Sequence, residues 1–209
     1  MEEKPSLPST RLLEDSESTE CRINDMFLHV EDQFRKVKQH LDPHQVRKVL
    51  ILFTGGTIGM VNSDKGYIAK KGFLQKVIKT NKSFCDADYT FFNATDGFMI
   101  TPVSIYKRRI WYKVVEFDEI IDSTNMTSEY WVKIGMAIKE NYKAYDAFII
   151  LHGTDTMAYT ASALSFMFEN LAKTVIITGA QIPLSEMRND GFENLLGSLT
   201  IAGKSFFFI

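Results

Sequence analysis

The sequence predicts an α/β protein in which a parallel β-sheet is covered by helices on both faces, a three-layer sandwich. Short, continuous apolar runs such as KVLILF and FIIL are typical of strands that are buried on both faces. Longer segments with apolar residues at every third or fourth position separate these runs, and that period is typical of helices. Strands that alternate with helices in this way form parallel sheets.

The composition is that of one substantial folded domain. The chain has 209 residues, of which 45% are hydrophobic, and its 24 basic and 26 acidic residues leave a formal charge of −2. This balance predicts no attraction to nucleic acid or to an anionic membrane. The two cysteines, Cys21 and Cys85, provide neither a disulfide framework nor a zinc site. The N-terminus has no secretory pattern and no apolar run reaches ~18 residues, so a cytoplasmic location is expected.

The first part of the chain is expected to precede the sheet domain. Residues 1–22 are rich in Ser, Glu, Pro and Thr, which predicts a disordered tail. Residues 23–43 predict an amphipathic helix that ends before Pro43. Its apolar stripe consists of Met26, Phe27, Val30, Phe34, Val37 and Leu41. Ordinary helix periodicity favours packing of this stripe on the chain's own core over binding to another protein.

The α/β domain is predicted from residue 46 to residue 209. Its strands are predicted in KVLILF, YKVVEF, DAFIILH and KTVIITGA. Its helices are predicted in GFLQKVIKT, TSEYWVKIGMAIKENYKAY (with Thr127 or Ser128 as N-cap), YTASALSFMFENL and GFENLLGSLTIAG. Residues 81–113 are too irregular for a detailed assignment. The final run, SFFFI, predicts either a last strand within the sheet or the interrupted strand of a longer protein.

Hydroxyl-bearing stretches directly follow three of the predicted strands. TGGT follows LILF, DST follows EFDEII, and HGTDT follows FIIL. Because ligands bind outside the carboxyl ends of parallel strands, these stretches are expected to share one ligand-binding edge. The side chains concerned are Thr54, Thr57, Ser123, Thr124, Thr154 and Asp155.

Other common catalytic motifs are absent from the sequence. There is no Walker loop, no G-x-G-x-x-G, no G-x-S-x-G and no H-E-x-x-H. Only His152 among the four histidines lies in one of these stretches, so a metal centre is not expected. A hydroxyl nucleophile without histidine needs a neutral lysine, a tyrosine or a relay through a second hydroxyl.

The motifs in this order resemble the asparaginase family, in its cytoplasmic type I branch and more narrowly in its animal asparaginase/lysophospholipase members. The resemblance runs from about Arg47 to Gly203. It is carried by TGGTIGM, Gly66–Tyr67, DSTNM, HGTDTMAYTAS and TGAQIPL…NDGFENLLGS. It implies the N-terminal α/β domain of that family, truncated before the C-terminal domain. The implied reaction is hydrolysis of L-asparagine to L-aspartate and ammonia through a threonine acyl-enzyme, without a cofactor.

The resemblance also implies four catalytic residues. Thr57 is expected to be the nucleophile that attacks the side-chain amide. Tyr67 is expected on a mobile loop that closes over the substrate and helps to activate Thr57. Thr154 is expected to assist water attack or proton transfer, and Asp155 to hold the α-amino group.

Further residues are implied in substrate binding. Ser123, with Thr124 beside it, is expected to bind the α-carboxylate of the substrate. Gly56 and Gly153 are expected to let backbone N–H groups face the reacting atoms, and one such donor can be worth ~3 kcal/mol. Without the resemblance, these hydroxyl and carboxylate side chains have ordinary interpretations as helix caps and turn residues, and Tyr67 as a loop aromatic.

Thr54 and His152 are interpreted as structural with or without the resemblance. The family's lysine is expected in a segment like RGNR…TK beyond the last residue of this sequence. Lys173 and Lys204 precede strands and are therefore expected at the opposite edge of the sheet. Since general-base assistance is usually worth ~10²–10⁴-fold, slow turnover is expected for the 209-residue form.

Two other functions stay open at this point. One is hydrolysis of lysophospholipids, which needs a wide apolar channel near Thr57. The other is a catalytically silent fragment that associates with full-length subunits. For full-length family members the resemblance implies a homo-oligomer.

Overall fold

The computed structural model describes residues 22, 24–35, 46–64, 66–86, 97–105 and 107–204. Residues 1–21 of the predicted tail, the predicted helix end near Pro43 and the SFFFI run lie outside these residues. The strands are β1 (Val46–Gly55), β2 (Met60–Ser63), β3 (Gly66–Ala69), β4 (Phe98–Ile100), β5 (Arg109–Ile121), β6 (Ala147–Leu151) and β7 (Thr174–Thr178). The helices are α1 (24–35), α2 (Phe73–Thr80), α3 (Ser128–Asn141), α4 (Met157–Met167) and α5 (Gly191–Ala202).

Five of the strands form one sheet in the order β4–β5–β1–β6–β7. β1 is parallel to both of its neighbours, β5 and β6, and β7 is parallel to β6. β4 pairs antiparallel with β5 and falls in the segment that the sequence left unassigned. The prediction of a parallel sheet is therefore confirmed for the four predicted strands, with an antiparallel edge strand added.

Helices cover both faces of this sheet, because alternate residues of β1 point to opposite cores. On one face, Ile51 packs in a core with Leu74 of α2 and Leu195 of α5. On the other face, Leu50 packs in a core with Leu164 of α4. All five of these side chains are essentially inaccessible to water, and each contributes roughly 1.5–3 kcal/mol through burial. The three-layer sandwich is confirmed.

Helix α1 packs on the second face through its apolar stripe. Val30 and Phe34 are buried in the same core as Trp111 of β5, and the rings of Phe34 and Trp111 lie 5.3 Å apart. Lys48 of β1 forms an ion pair with Glu31 of α1. The described part of the predicted amphipathic helix is therefore held by the chain's own core, as expected.

A small antiparallel hairpin, β2–β3, lies between β1 and α2 in the order of the chain. Every residue of β3 is exposed, which explains why the apolar pattern did not reveal it. Helix α3 begins at the predicted place, with Thr127 at the N-cap position, although its side chain makes no capping hydrogen bond. Among the described helices, none combines the length and apolar character needed to cross a membrane.

Candidate active site

At the carboxyl ends of the neighbouring strands β1 and β6, the chain continues to opposite faces of the sheet. β1 continues into the hairpin and then α2, which packs on the first face, whereas β6 continues into α4 on the second face. In open α/β sheets this divergence leaves a crevice outside the strand ends, and ligands bind there. TGGT begins with the last two residues of β1, and HGTDT directly follows β6.

The loops after β1, β5 and β6 lie in backbone contact. The backbone N–H of Gly56 donates to the carbonyl of Ile121 at 3.2 Å. A Cβ atom on Gly56, whose φ is 86°, would lie 2.5 Å from Cα of Gly153. A Cβ atom on Gly153 would lie 2.5 Å from Cβ of Ser123. Side chains do not approach this closely, so glycine at both positions allows the three loops to meet.

Ser123 and Asp155 come together where these loops meet. Ser123 is 3% exposed, and its hydroxyl donates to Oδ2 of Asp155 at 3.3 Å. The hydroxyl of Thr156 donates to the carbonyl of Ser123 at 2.7 Å, which joins the same two loops a second time. A hydroxyl beside a carboxylate can accept and donate hydrogen bonds to a small zwitterion.

Thr124 has a different partner. Its hydroxyl donates to Oδ1 of Asp122 at 3.2 Å, and its backbone N–H donates to the same oxygen at 3.1 Å. Asp122 thereby caps the single 3-10 turn Ser123–Asn125. Thr124 is exposed and engaged in this cap, so Ser123 is the member of the pair that contacts Asp155.

Thr57 opens a 3-10 turn of three residues, Thr57–Gly59, that leads directly into β2. Its side chain is half-buried, and within the described part of the chain its hydroxyl has no hydrogen-bond partner. Gly56, not Thr57, occupies the cap position of this turn. The interpretation of Thr57 as a helix N-cap is therefore wrong, and its hydroxyl is left available for chemistry.

Tyr67 lies in β3, opposite Asn62 of the hairpin. Its hydroxyl donates to Oε1 of Glu186 at 3.1 Å. Desolvation, followed by the hydrogen bond and the negative charge of Glu186, raises the pKa of Tyr67, so the phenol keeps its proton near neutral pH. The hydroxyl of Ser185 also donates to the carbonyl of Met60 at 3.0 Å. The hairpin is thus attached to the segment after β7.

That segment also reaches Thr154. The side-chain amide of Gln181 donates to the hydroxyl oxygen of Thr154 at 3.1 Å. Asp190 holds the segment in place by accepting from the backbone N–H groups of Gln181 and Ile182. These hydrogen bonds outweigh the opposing desolvation and lower the pKa of Asp190.

Sequence reasoning gave no role to Gln181 or Glu186. The signal that could have found them is their position, because TGAQIPLSE follows β7 and therefore emerges at the same edge as the other three stretches. Their partners could not be read from spacing, since Gln181 is 27 residues from Thr154 and Glu186 is 119 residues from Tyr67.

The two residues interpreted as structural are buried and hydrogen-bonded. The hydroxyl of Thr54 donates to the carbonyl of Leu151 at 3.1 Å, as expected for a strand-end residue. His152 is fully buried between Gly153 and Thr160. Desolvation lowers the pKa of His152 against the opposing effect of its bond to Gly153, so the ring is neutral near pH 7.

Lys173 lies at the amino edge of the sheet, opposite the candidate site. Its ammonium donates to the carbonyls of Tyr142 and, at 2.6 Å, Tyr145, both of which precede β6. Desolvation lowers its pKa.

A cavity of about 800 Å³ opens at this same edge, between residues 101–104 and the end of α5. In the described residues, no three histidine, cysteine or acidic side chains are grouped to hold a metal ion.

Comparison with protein families gives a match to the model "Asparaginase, N-terminal" over residues 48–206. The chain is 46% identical over 158 residues to an L-asparaginase of Dirofilaria immitis, covering 74% of this chain and 27% of the relative. It is 42% identical over 159 residues to the human 60 kDa lysophospholipase, covering 76% of this chain and 28% of the relative.

Solved structures give the same result. L-asparaginase I of Vibrio cholerae matches with a TM-score of 0.57 and 42% identity, over 75% of this chain and 40% of the other. The chain therefore spans about a quarter to two fifths of the length of these proteins. The sequence resemblance to this family, and the fold that it implied, are confirmed.

Proposed function

Because the chain belongs to the asparaginase family, by its match over residues 48–206, we propose that it binds L-asparagine and hydrolyses the side-chain amide to L-aspartate and ammonia. One observation carries this proposal. The buried Ser123 hydroxyl and the Asp155 carboxylate meet at 3.3 Å, at the edge where the loop bearing Thr57 also arrives. This pair suits the charged α-substituents of an amino acid, because Asp155 can accept from an ammonium group and the Ser123 hydroxyl can rotate its proton from Asp155 to a substrate carboxylate.

In this mechanism the hydroxyl oxygen of Thr57 attacks the amide carbon of the substrate. The hydroxyl proton is passed on to the leaving nitrogen, which departs as ammonia and leaves a β-aspartyl ester on Thr57. Water then attacks the ester carbon, releases L-aspartate and returns the proton to the Thr57 oxygen. The unpartnered, half-buried hydroxyl described above supports Thr57 as this nucleophile.

Tyr67 and Thr154 are proposed to assist these proton transfers. A protonated Tyr67 acts as a hydrogen-bond donor, since its pKa is raised. Thr154 accepts from Gln181, which leaves its own hydroxyl proton free to be donated toward the substrate or the attacking water. Gly153 is proposed to expose its backbone N–H group to the developing oxyanion. The N–H of Gly56 already donates to the carbonyl of Ile121, so Gly56 is proposed to contribute through the close approach of its loop to Gly153.

The 209-residue chain by itself is proposed to turn over slowly. Lys173 and Lys204 lie at the amino edge, at the start of β7 and the end of α5, and neither can serve Thr154. A missing general base typically lowers kcat by ~10²–10⁴-fold. Binding of the amino acid, which uses Ser123 and Asp155, depends less on such a base.

Lysophospholipid hydrolysis is the second candidate, because the human 60 kDa lysophospholipase is a relative. An acyl chain needs an apolar channel that reaches the nucleophile. The cavity of about 800 Å³ is lined by apolar residues such as Val103, Ile110 and Leu199 together with Lys82 and Arg108, and it lies at the amino edge, away from Thr57. This location favours the amino-acid amide as substrate.

The test measures ammonia and aspartate released from L-asparagine, and binding of L-asparagine by calorimetry, in the 209-residue chain. We expect weak binding and slow release in wild type. Thr57→Val is expected to abolish release while retaining binding, and Asp155→Asn to weaken binding by at least tenfold. Thr200→Ala is the matched control, because Thr200 is exposed on α5 and bonds only to the carbonyl of Leu196 among the described residues.

The covalent step is checked separately. Rapid acid quenching followed by mass spectrometry is expected to find a β-aspartyl group on the peptide that contains Thr57. Release that is unchanged in Thr57→Val would contradict the mechanism, and hydrolysis of lysophosphatidylcholine without any response to L-asparagine would contradict the substrate.

A further inference from the structure

We propose that His152 is a positioning residue that orients the Gly153–Thr154 peptide, and with it Asp155, through a buried chain of hydrogen bonds that starts at Trp131. The consequence for catalysis rests on the proposed function above. The hydrogen-bond chain itself does not, and it can be tested without any substrate.

At both ends of this hydrogen-bond chain, the group can act only as a donor or only as an acceptor. The indole N–H of Trp131 can only donate, and it lies 2.9 Å from the hydroxyl oxygen of Thr160. The carbonyl of Gly153 can only accept, and it lies 2.6 Å from Nδ1 of His152. Between them, the hydroxyl oxygen of Thr160 lies 2.9 Å from Nε2 of His152.

These two ends determine where every proton lies. Nδ1 of His152 must carry a hydrogen, because otherwise its lone pair would face the carbonyl oxygen at 2.6 Å. The neutral ring then has a bare Nε2, which accepts the hydroxyl proton of Thr160. Thr160 in turn accepts from Trp131, so each polar atom of this buried group has a partner of the right kind.

A second proton on His152 is disfavoured by the same arrangement. Nε2 would become a donor, and Thr160 would have to accept from both the histidine and Trp131. The hydroxyl proton of Thr160, whose residue is fully buried, would then lose its acceptor. Together with desolvation of the ring, this keeps His152 in one neutral tautomer.

The fixed tautomer orients the peptide group that follows. In a trans peptide the C=O and N–H bonds point in opposite directions. Since the carbonyl of Gly153 points toward His152 in the core, the N–H of Thr154 points out toward the crevice. Glycine alone allows this peptide many orientations, so the hydrogen bond from His152 selects one of them. Asp155, the next residue, contacts Ser123 from that orientation.

The first experiment measures the tautomer directly by NMR of ¹⁵N-labelled histidine in the wild-type chain. We expect a neutral ring with the proton on Nδ1 near neutral pH. In Thr160→Val, which removes the hydroxyl at nearly constant shape, the ring signals are expected to change, together with the backbone amide signals of Thr154 and Asp155. Thr160→Ser is expected to retain the wild-type signals. A proton on Nε2 in wild type, or unchanged amide signals in Thr160→Val, would overturn the proposal.

The second experiment compares two amide replacements of His152. Asparagine places its N–H near the position of Nδ1 and can still donate to Gly153, whereas glutamine places its amide near Nε2 and cannot. Misplacement of reacting groups by about 1 Å can cost ~10²-fold. We expect kcat/KM for L-asparagine to fall tenfold to a hundredfold in His152→Gln and no more than threefold in His152→Asn. Equal losses in the two variants, at equal unfolding temperature, would contradict a positioning role.

The two proposals can fail independently. If wild type releases no ammonia and binds no L-asparagine, but the NMR signals behave as described, the proposed function fails and the positioning of the peptide stands. If L-asparagine is hydrolysed while His152 carries its proton on Nε2, the positioning role fails and the proposed function stands.

Discussion

Gly153→Ala tests whether the loops at the carboxyl edge meet as closely as described. The added Cβ would lie 2.5 Å from Cβ and 2.6 Å from Oγ of Ser123. Ordinary contacts of this kind lie at 3.4–4 Å, so the loops must separate by about 1 Å. The hydrogen bond from Ser123 to Asp155, already 3.3 Å long, would then be lost. Overpacking at about 1–3 kcal/mol and the lost hydrogen bond at about 1 kcal/mol predict a destabilisation of about 2–4 kcal/mol.

The measurement is urea unfolding followed by circular dichroism, with L-asparagine binding as a second readout. Gly197→Ala is the matched control, because a Cβ on Gly197 of α5 meets no atom within 4 Å. This control is expected to stabilise the chain by about 0.5–1 kcal/mol, as alanine is the better helix former. Ser123→Gly removes the two atoms that Gly153→Ala would strike, so the double variant should be less destabilised than the sum of the single variants. Wild-type stability and binding in Gly153→Ala would refute the close approach of these loops.

Three further predictions use the surrounding contacts. Backbone N–H groups lower the pKa of Asp190 from its ordinary 3.8. The stability that the Asp190 carboxylate contributes is therefore complete above that value and declines as the pH falls through the folded pKa. The free energies of unfolding of wild type and Asp190→Asn, measured across pH 2–7, should differ most at neutral pH and converge in acid. Glu186→Gln should lower the pKa of Tyr67, observed by NMR of labelled tyrosine, whereas an unchanged pKa would show that Glu186 does not act on it. Lys173→Met should destabilise the chain by about 1–3 kcal/mol, because two carbonyls lose their donor, yet leave L-asparagine binding unchanged in calorimetry; weakened binding would contradict its assignment to the opposite edge.

The strands could be predicted where burial dictates their composition. β1, β6 and β7 are continuous apolar runs, since a parallel sheet covered on both faces presents no polar surface. β4 has only three residues, Phe98–Ile100, and gives no periodic signal. The β2–β3 hairpin has two strands of four residues each, and β3 is exposed throughout, so it gives no apolar pattern. Tyr67, which the family resemblance places on a mobile loop, lies in β3.

The candidate site could be predicted to the extent that strand ends determine it. Ser123 and Asp155 were expected at one edge because each follows a strand of the same parallel sheet, and their side chains do meet. Thr124 lies at that edge too, but its nearest partner is Asp122, two residues away. A hydrogen-bond acceptor nearby in sequence competes effectively with one that is distant in sequence. Composition does not reveal which of the two acceptors a hydroxyl group will bind. The contacts of Gln181 and Glu186 depend on how loops fold over one another, which carries no periodic signal.

The central strand of the sheet is made first by the ribosome, although its partners come much later. The backbone N–H of Lys48 in β1 donates to Asp146 at 2.8 Å, across 98 residues. During synthesis, β1 therefore leaves the exit tunnel as an unpaired apolar segment, and its two neighbours, β5 and then β6, are translated only later. We expect the nascent chain to be most prone to aggregation in that interval and molecular chaperones to bind the Val46–Gly55 segment there.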